Sequence, residues 1–316
     1  MSEARPTADV LLNPWARHAD RFELHRALRL LEERSVDAIL VAPSSPGAFR
    51  EAARQAVSAG VDFVFVAGGD GAMRLAAAEL LHSSTALAPI PVGTANILAR
   101  ETGLPLRWDE AMEAHLSGQR VRMDTGQANG ATFLLMAGVG WDAAIASRVT
   151  RRLKAKLGAG AYLLQAARTI TRLHPRQMQL EVDGRDLASD WGLLVVSNTR
   201  LYGGLVEFTP GASAVDGMLD LCAAGPRRIG QGTALATRLA LGRLREQDGL
   251  HFDRGREVSI KTPGIPVQVD GDVIGETPMQ FTVAPHSLVV SVPAGPLPAL
   301  LLDEAETGSV DDRSIV

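Results

Sequence analysis

Residues 61–81 read VDFVFVAGGDGAMRLAAAELL. An almost continuous apolar run, Val61 to Ala67, has the composition of a strand buried on both faces. It passes through Gly68-Gly69-Asp70-Gly71 into a stretch with helical spacing at 72–82. Three glycines in four residues let the backbone approach a ligand closely. The helix behind them presents free N–H groups and the positive end of its dipole, a combination suited to an anionic phosphate. Asp70 inside that loop would repel a bare phosphate. A carboxylate there makes sense if it holds a Mg²⁺ that bridges phosphates or hydrogen-bonds a nucleotide. A tight strand-to-helix turn with no ligand is the plainer alternative.

The same design recurs downstream. APIPVGTANILARETGLP (88–105) is a strand, then Gly93-Thr94-Ala95-Asn96, then a helix. Successive βα turns of a parallel sheet open at the same edge, where ligands bind in open α/β sheets. Thr94 and Asn96 are therefore expected to face the cleft that holds Asp70, whether or not either also caps its helix. Upstream, strands are predicted at 8–13 and 37–42, with helices at 20–34 and 47–59. A helix at 108–117 completes an alternation that implies βαβ units and a parallel sheet.

From about residue 120 the texture changes. Short β runs are predicted at 132–138, 177–183, 191–198, 218–223, 256–261, 265–270, 278–283 and 287–292. Turn signals such as Asp183-Gly184, Asp216-Gly217 and Asp270-Gly271 separate them. Helical segments interrupt at roughly 142–173 and 227–246. The expected organisation is a parallel α/β domain over 1–126, rejoined by 294–303, and an antiparallel β-sandwich over 127–293. Residues 304–316 form a loose acidic tail.

Composition excludes several classes. The chain has 316 residues, 46% hydrophobic and 22% charged, which is ordinary globular composition. The net charge, 32 − 36 = −4, gives no chain-wide reason to bind nucleic acid. A single cysteine, Cys222, forbids an internal disulfide and points to a reducing compartment. The first twenty residues lack the apolar core of a signal peptide, and no apolar run approaches a membrane span. Only Lys154, Lys156 and Lys261 are lysines, so no P-loop lysine exists in the first half. The histidines show no metal spacing. Gly138-Val139-Gly140-Trp141-Asp142-Ala143 fits a dinucleotide fingerprint, but no βαβ unit with a later ribose acid surrounds it.

One charge pattern stands apart. Between Asp142 and Glu181 lie Arg148, Arg151, Arg152, Lys154, Lys156, Arg168, Arg172 and Arg176, with no acid among them and apolar residues interleaved. A basic amphipathic helix of this kind suits an anionic bilayer surface. A solvated helix packed on the sandwich is the alternative.

Gly68-Gly69-Asp70-Gly71 followed by Pro91-Val92-Gly93-Thr94-Ala95-Asn96 resembles the catalytic domain of the diacylglycerol kinase superfamily, and more distantly the NAD kinases and phosphofructokinases. The likeness covers nearly the whole chain. It takes in Asn13-Pro14, Met123-Asp124-Thr125-Gly126, Gly138 to Ala143, and Ser197-Asn198 with Tyr202-Gly203-Gly204. Pro210 to Asp220 and Asp270-Gly271-Asp272 complete it. Each motif alone is weak; their order is specific.

That resemblance implies an ATP- and Mg²⁺-dependent lipid kinase of phospholipid metabolism, with diacylglycerol as the default acceptor. It assigns Gly68, Gly69, Asp70, Gly71, Ala72, Gly93, Thr94 and Asn96 to nucleotide. Asp272 takes the place of the proton acceptor, with Asp70 and Asp124 beside the catalytic metal. A structural Mg²⁺ maps to Ser213, Asp216 and Met218. The enzyme is expected in the cytoplasm, transiently at the inner membrane surface, with a membrane lipid as its partner; a homodimer is kept open. The sequence departs from the family pattern at Ala72 (usually Thr), Asp272 (usually Glu), Ile97 (often an acid) and Pro43 (often Thr). It also lacks the Ser-Gly after Asn13-Pro14. A catalytically weak lipid- or nucleotide-binding protein and a kinase for a soluble acceptor are the alternatives. Read from the residues alone, Asp270-Gly271-Asp272 is an ordinary hairpin turn.

Overall fold

The computed structural model describes residues 5–140, 176–187, 189–204, 206–224 and 250–303. The sequence-predicted helices at 142–173 and 227–246, with Trp141, Asp142 and the basic residues from Arg148 to Arg172, lie outside the described residues.

The first part of the chain forms four parallel strands: β1 (Thr7–Leu12), β2 (Asp37–Val41), β3 (Phe63–Gly68) and β4 (Ala86–Pro91). They stand in the order β4-β3-β1-β2. Helices α1 (Leu24–Glu33), α2 (Pro46–Ala59), α3 (Asp70–Leu80), α4 (Ile97–Glu101) and α5 (Trp108–Leu116) connect or follow them. Side chains alternate across a strand, so each strand supplies two cores. Val10, Phe65, Ala88 and Ile90 pack with Ala27 and Leu31 of α1 and Trp108 and Met112 of α5. Leu11, Val64, Val66 and Leu87 pack with Phe49 and Ala53 of α2 and Ala76 and Leu80 of α3. Burial on both faces accounts for the unbroken apolar run of β3, Phe63 to Gly68.

Beyond residue 118 the strands turn antiparallel. In chain order they are β5 (Gln119–Ala128), β6 (Ala131–Phe133), β7 (Met136–Gly140), β8 (Arg176–Met178), β9 (Leu180–Val182) and β10 (Arg185–Asp186). Next come β11 (Ser189–Trp191), β12 (Leu193–Ser197), β13 (Leu201–Tyr202), β14 (Val206–Glu207) and β15 (Leu219–Ala224). The last five are β16 (Leu250–Gly255), β17 (Glu257–Ile260), β18 (Pro266–Val269), β19 (Asp272–Glu276) and β20 (Met279–Val292).

One sheet has the order β16-β15-β12-β7-β18-β19. It faces the antiparallel part of the other sheet, where β9, β17, β20, β5 and β6 pair. Phe133, Leu194, Leu221, Val258, Val267 and Phe281 from the two layers share one core, which makes this unit a β-sandwich. The fold is thus a parallel α/β unit joined to an antiparallel sandwich.

Two long strands run through both units. The first half of β20 pairs with β17, and Val290 near its end pairs in parallel with Leu87 of β4. β5 accompanies β20 throughout, with the register shifting between Ala284 and Leu288. Segments predicted separately at 278–283 and 287–292 are therefore one bulged strand. LHFDRG (250–255), not predicted as a strand, is the edge strand β16. Downstream of β20, Leu300 and Leu301 pack into the core beside α2 and α3, and Leu300 O accepts the Ala214 N–H at 2.8 Å.

Candidate active site

The two glycine turns meet at the C-terminal edge of β3 and β4. Gly69 is the N-cap of α3, and its carbonyl accepts the N–H groups of Ala72 (2.9 Å) and Met73 (3.1 Å). A Cβ on Gly93 would lie 2.4 Å from Gly69 Cα. Glycine is required at 93 by the approach of the two backbones. A Cβ on Gly71, by contrast, would meet nothing within 4 Å. No protein atom demands a glycine there, and the open space is what a ligand on this loop needs.

Asp70 crosses from one turn to the next. Its Oδ1 accepts the Leu98 N–H at 3.1 Å, which caps α4 from outside. Asn96 sits at φ 50° as the N-cap of α4, yet its side chain serves the turn, accepting the Gly93 N–H at 2.9 Å. Thr94 is half-buried in that turn. A narrow recess between the turns is lined by Gly69, Asp70, Met73, Asn96, Leu98 and Ala99. Ala72, placed in the nucleotide loop by the resemblance, buries its methyl in the core, and its N–H is already taken by Gly69.

Asp272 comes to this edge from the sandwich. Asp270 and Gly271 link β18 to β19 at φ 47° and 91°, the left-handed pair that a two-residue hairpin turn requires. The Asp270 carboxylate accepts N–H groups from Leu134 (2.8 Å), Leu135 (3.0 Å) and Met136 (3.0 Å). Burial nevertheless pushes its carboxyl up to about 6, against the pull of those three donors and of the nearby Arg74 charge. Asp272 points outward and is bonded by Arg74 Nη2 at 2.5 Å, across 198 residues of sequence. Arg74 lies four residues after Asp70 in α3, hence on the same helix face. The structure therefore brings the Asp70 loop and Asp272 to one cleft, with Arg74 as the link. Sequence reading passed over Arg74. Its signal was a lone cation in the apolar helix DGAMRLAAAEL.

Asp124 is fully buried on β5 and clips several segments together. Its Oδ1 accepts the His286 N–H (2.6 Å) and its Oδ2 the Gly217 N–H (2.7 Å). Its own N–H donates to Ala214 O at 2.7 Å, and its carbonyl accepts Asn198 Nδ2 at 2.9 Å. Burial raises the proton affinity of Asp124, and the nearby Asp216 charge adds to the rise. Asp216 is also raised, first by burial and then by Asp303. Its Oδ1 accepts the Met218 N–H at 2.9 Å, and its Oδ2 is paired with Arg254. Ser213 Oγ donates to Leu302 O at 2.8 Å.

Oxygen donors and excess negative charge are what a hard cation such as Mg²⁺ takes. Ser213, Asp216 and Met218 lie on one short loop. Asp216 is the one carboxylate of the three, and Arg254 occupies it in this structure. Among the described residues no group of three or more His, Cys, Asp or Glu side chains has metal-holding geometry, so the main-chain carbonyls of the loop would have to contribute.

Glu101 was also missed. It is buried at the end of α4 and accepts the N–H groups of Arg200 (2.7 Å) and Leu201 (2.5 Å). It thereby ties α4 to the Tyr202-Gly203-Gly204 segment. A Cβ on Gly204 would lie 3.3 Å from Ile97 Cγ1, so Ile97, where the family often has an acid, is covered by that segment.

Residues 7–128 match the family "Diacylglycerol kinase catalytic domain". Residues 136–292 match the "YegS C-terminal NAD kinase beta sandwich-like domain". A Mycobacterium tuberculosis protein named diacylglycerol kinase is 30% identical over 292 residues, covering 90% of this chain and 94% of that one. The chain belongs to the diacylglycerol kinase family of lipid kinases. A Pseudomonas aeruginosa relative named "Probable lipid kinase YegS-like" is 30% identical over 90% of this lipid kinase and 95% of its own length. A crystal structure of a Bacillus anthracis diacylglycerol kinase superposes with a TM-score of 0.70 at 19% identity, over 93% of this chain and 99% of that one. That likeness supports the fold. Among the described residues no helix of the kinase is long and apolar enough to cross a membrane.

Proposed function

We propose that this lipid kinase transfers the γ-phosphate of ATP to a hydroxyl of diacylglycerol or a closely similar membrane lipid, with Mg²⁺. The observation that carries the reading is the meeting of the Gly68–Gly71 loop and Asp272 at one cleft. The two motifs come from different units of the fold, α3 of the α/β unit and the β18–β19 turn of the sandwich.

Backbone N–H groups at the start of α3 and the turn at Gly93–Asn96 cradle the phosphates. Gly71 leaves the room they need. The acceptor hydroxyl lies between this loop and Asp272. As its oxygen bonds to the γ-phosphorus, its proton passes to the Asp272 carboxylate, the bond from phosphorus to the β-γ bridging oxygen breaks, and ADP leaves. Bound Mg²⁺ would neutralise phosphate charge, with Asp70 as its carboxylate, while Ser213, Asp216 and Met218 would hold a structural ion; Asp124, expected beside the catalytic metal, is buried with both oxygens bonded to the His286 and Gly217 N–H groups and stands next to Asp216 instead. The basic stretch from Arg148 to Arg176 supports contact with an anionic membrane surface, where the lipid is found.

The test is phosphorylation of diacylglycerol in mixed micelles with labelled ATP. Asp272→Asn keeps the shape but removes the proton acceptor, and is expected to lower turnover by about 10²–10⁴-fold with ATP affinity unchanged. Full turnover in that variant would place the base elsewhere.

A further inference from the structure

We propose that Arg74 is a positioning residue for this reaction, holding the Asp272 carboxylate at the cleft so that one oxygen is fixed and the other faces the acceptor hydroxyl. The inference rests on the reading of Asp272 as the base.

Three observations carry it. Arg74 Nη2 bonds Asp272 Oδ2 at 2.5 Å, and among the described residues Asp272 Oδ1 has no hydrogen-bond partner. The Arg74 side chain is 17% exposed and that of Asp272 is 64% exposed, so the arginine is the anchored member of the pair. Arg74 Nε is buried and, among the described residues, has no hydrogen-bond partner. An ion pair with a largely exposed acceptor contributes little to stability, and a buried N–H without a partner opposes it. The pair with Asp272 therefore adds little stability, and what stability the arginine does contribute comes from its charge near the buried Asp270. Its planar, always-charged head does suit orienting a carboxylate.

The turn is pinned at both ends. Asp270 is tied to its own unit by the three N–H groups of residues 134–136, and Asp272 is tied to α3 of the other unit. Without Arg74 the exposed carboxylate would rotate freely, and a displacement of about 1 Å at a reacting group lowers rate by up to ~10²-fold.

The experiment compares Arg74→Met, Arg74→Lys, Asp272→Asn and the double variant Arg74→Met/Asp272→Asn, by kcat on diacylglycerol micelles and by direct ATP titration. Arg74→Met is expected to lower kcat by roughly 10–10²-fold while ATP affinity stays within about twofold. Arg74→Lys should recover part of the loss. The double variant should be no slower than Asp272→Asn, because Arg74 acts through that carboxylate. If Asp272→Asn is slow but Arg74→Met turns over like wild type, the positioning role falls and the base stands. If Arg74→Met weakens ATP binding about tenfold and its loss adds to that of Asp272→Asn, Arg74 serves the phosphates instead. If Asp272→Asn keeps full turnover, the reading of the base fails and this inference with it. Should Arg74→Met not fold, Arg74→Gln takes its place in the same comparison.

Discussion

Gly69 and Gly93 stand back to back: a Cβ on Gly93 would lie 2.4 Å from Gly69 Cα and 2.6 Å from Asn96 Oδ1. Both near atoms are fixed, one by the backbone and the other by the bond from the Gly93 N–H. Gly93→Ala must therefore part the two turns. We expect a loss of roughly 1–3 kcal/mol, as for other overpacked sites, together with weaker ATP binding. Thermal unfolding and an ATP titration check this; a variant with wild-type values in both would show that the turns need not touch.

Asp70 separates structure from chemistry. Asp70→Ala removes the acceptor for Leu98 N–H and should cost about 0.5–2 kcal/mol, the usual value of a lost cap. Asp70→Asn keeps an acceptor oxygen and should unfold near the wild-type temperature. Both should lose phosphorylation if the charge of Asp70 serves phosphate-bound metal. Retained turnover in Asp70→Asn would reduce the residue to a cap.

Asp270 gives a pH signature. Burial raises its carboxyl from 3.8 to about 6, so between those values the folded state binds more protons than the unfolded one. Its contribution to stability therefore falls as pH rises from about 4 to 6. Asp270→Asn removes that slope but turns an NH₂ towards backbone donors, leaving at least one unmet at roughly 1–3 kcal/mol. The stability of wild type relative to the variant should fall as pH rises from about 4 to 6, because only wild type carries this titration. Denaturant unfolding across that range measures it, and a deficit that grows with pH would contradict the burial argument.

The parallel unit was legible because strands buried on both faces carry unbroken apolar runs, and because both glycine turns are local. Strand β16 was not: Leu250-His251-Phe252-Asp253-Arg254 mixes charge into an edge strand, whose side chains need not be apolar. The two halves of β20 looked separate because Pro285 and His286 (φ 49°) interrupt the pattern, although pairing with β5 resumes beyond them. Arg74 and Glu101 escaped because their partners lie 198 and about 100 residues away. Spacing arguments reach only a few residues, so contacts of that range have no local trace.

Mg²⁺ and Arg254 are expected to compete for Asp216. The Asp216 carboxylate is 9% exposed, its Oδ2 is held by Arg254, and the nearby Asp303 raises its proton affinity. Removing the guanidinium in Arg254→Gln leaves a buried carboxylate without its cation, so the metal-free variant should unfold below wild type. Added Mg²⁺ should then stabilise Arg254→Gln more than wild type, because the ion no longer displaces a bound cation. A ligand at 100 times its dissociation constant contributes about 2.7 kcal/mol, a shift that thermal unfolding resolves easily. Asp216→Asn should abolish the Mg²⁺ response in either background. If Arg254→Gln shows no stabilisation by Mg²⁺, the loop from Ser213 to Met218 does not hold the ion, and Arg254 alone balances Asp216.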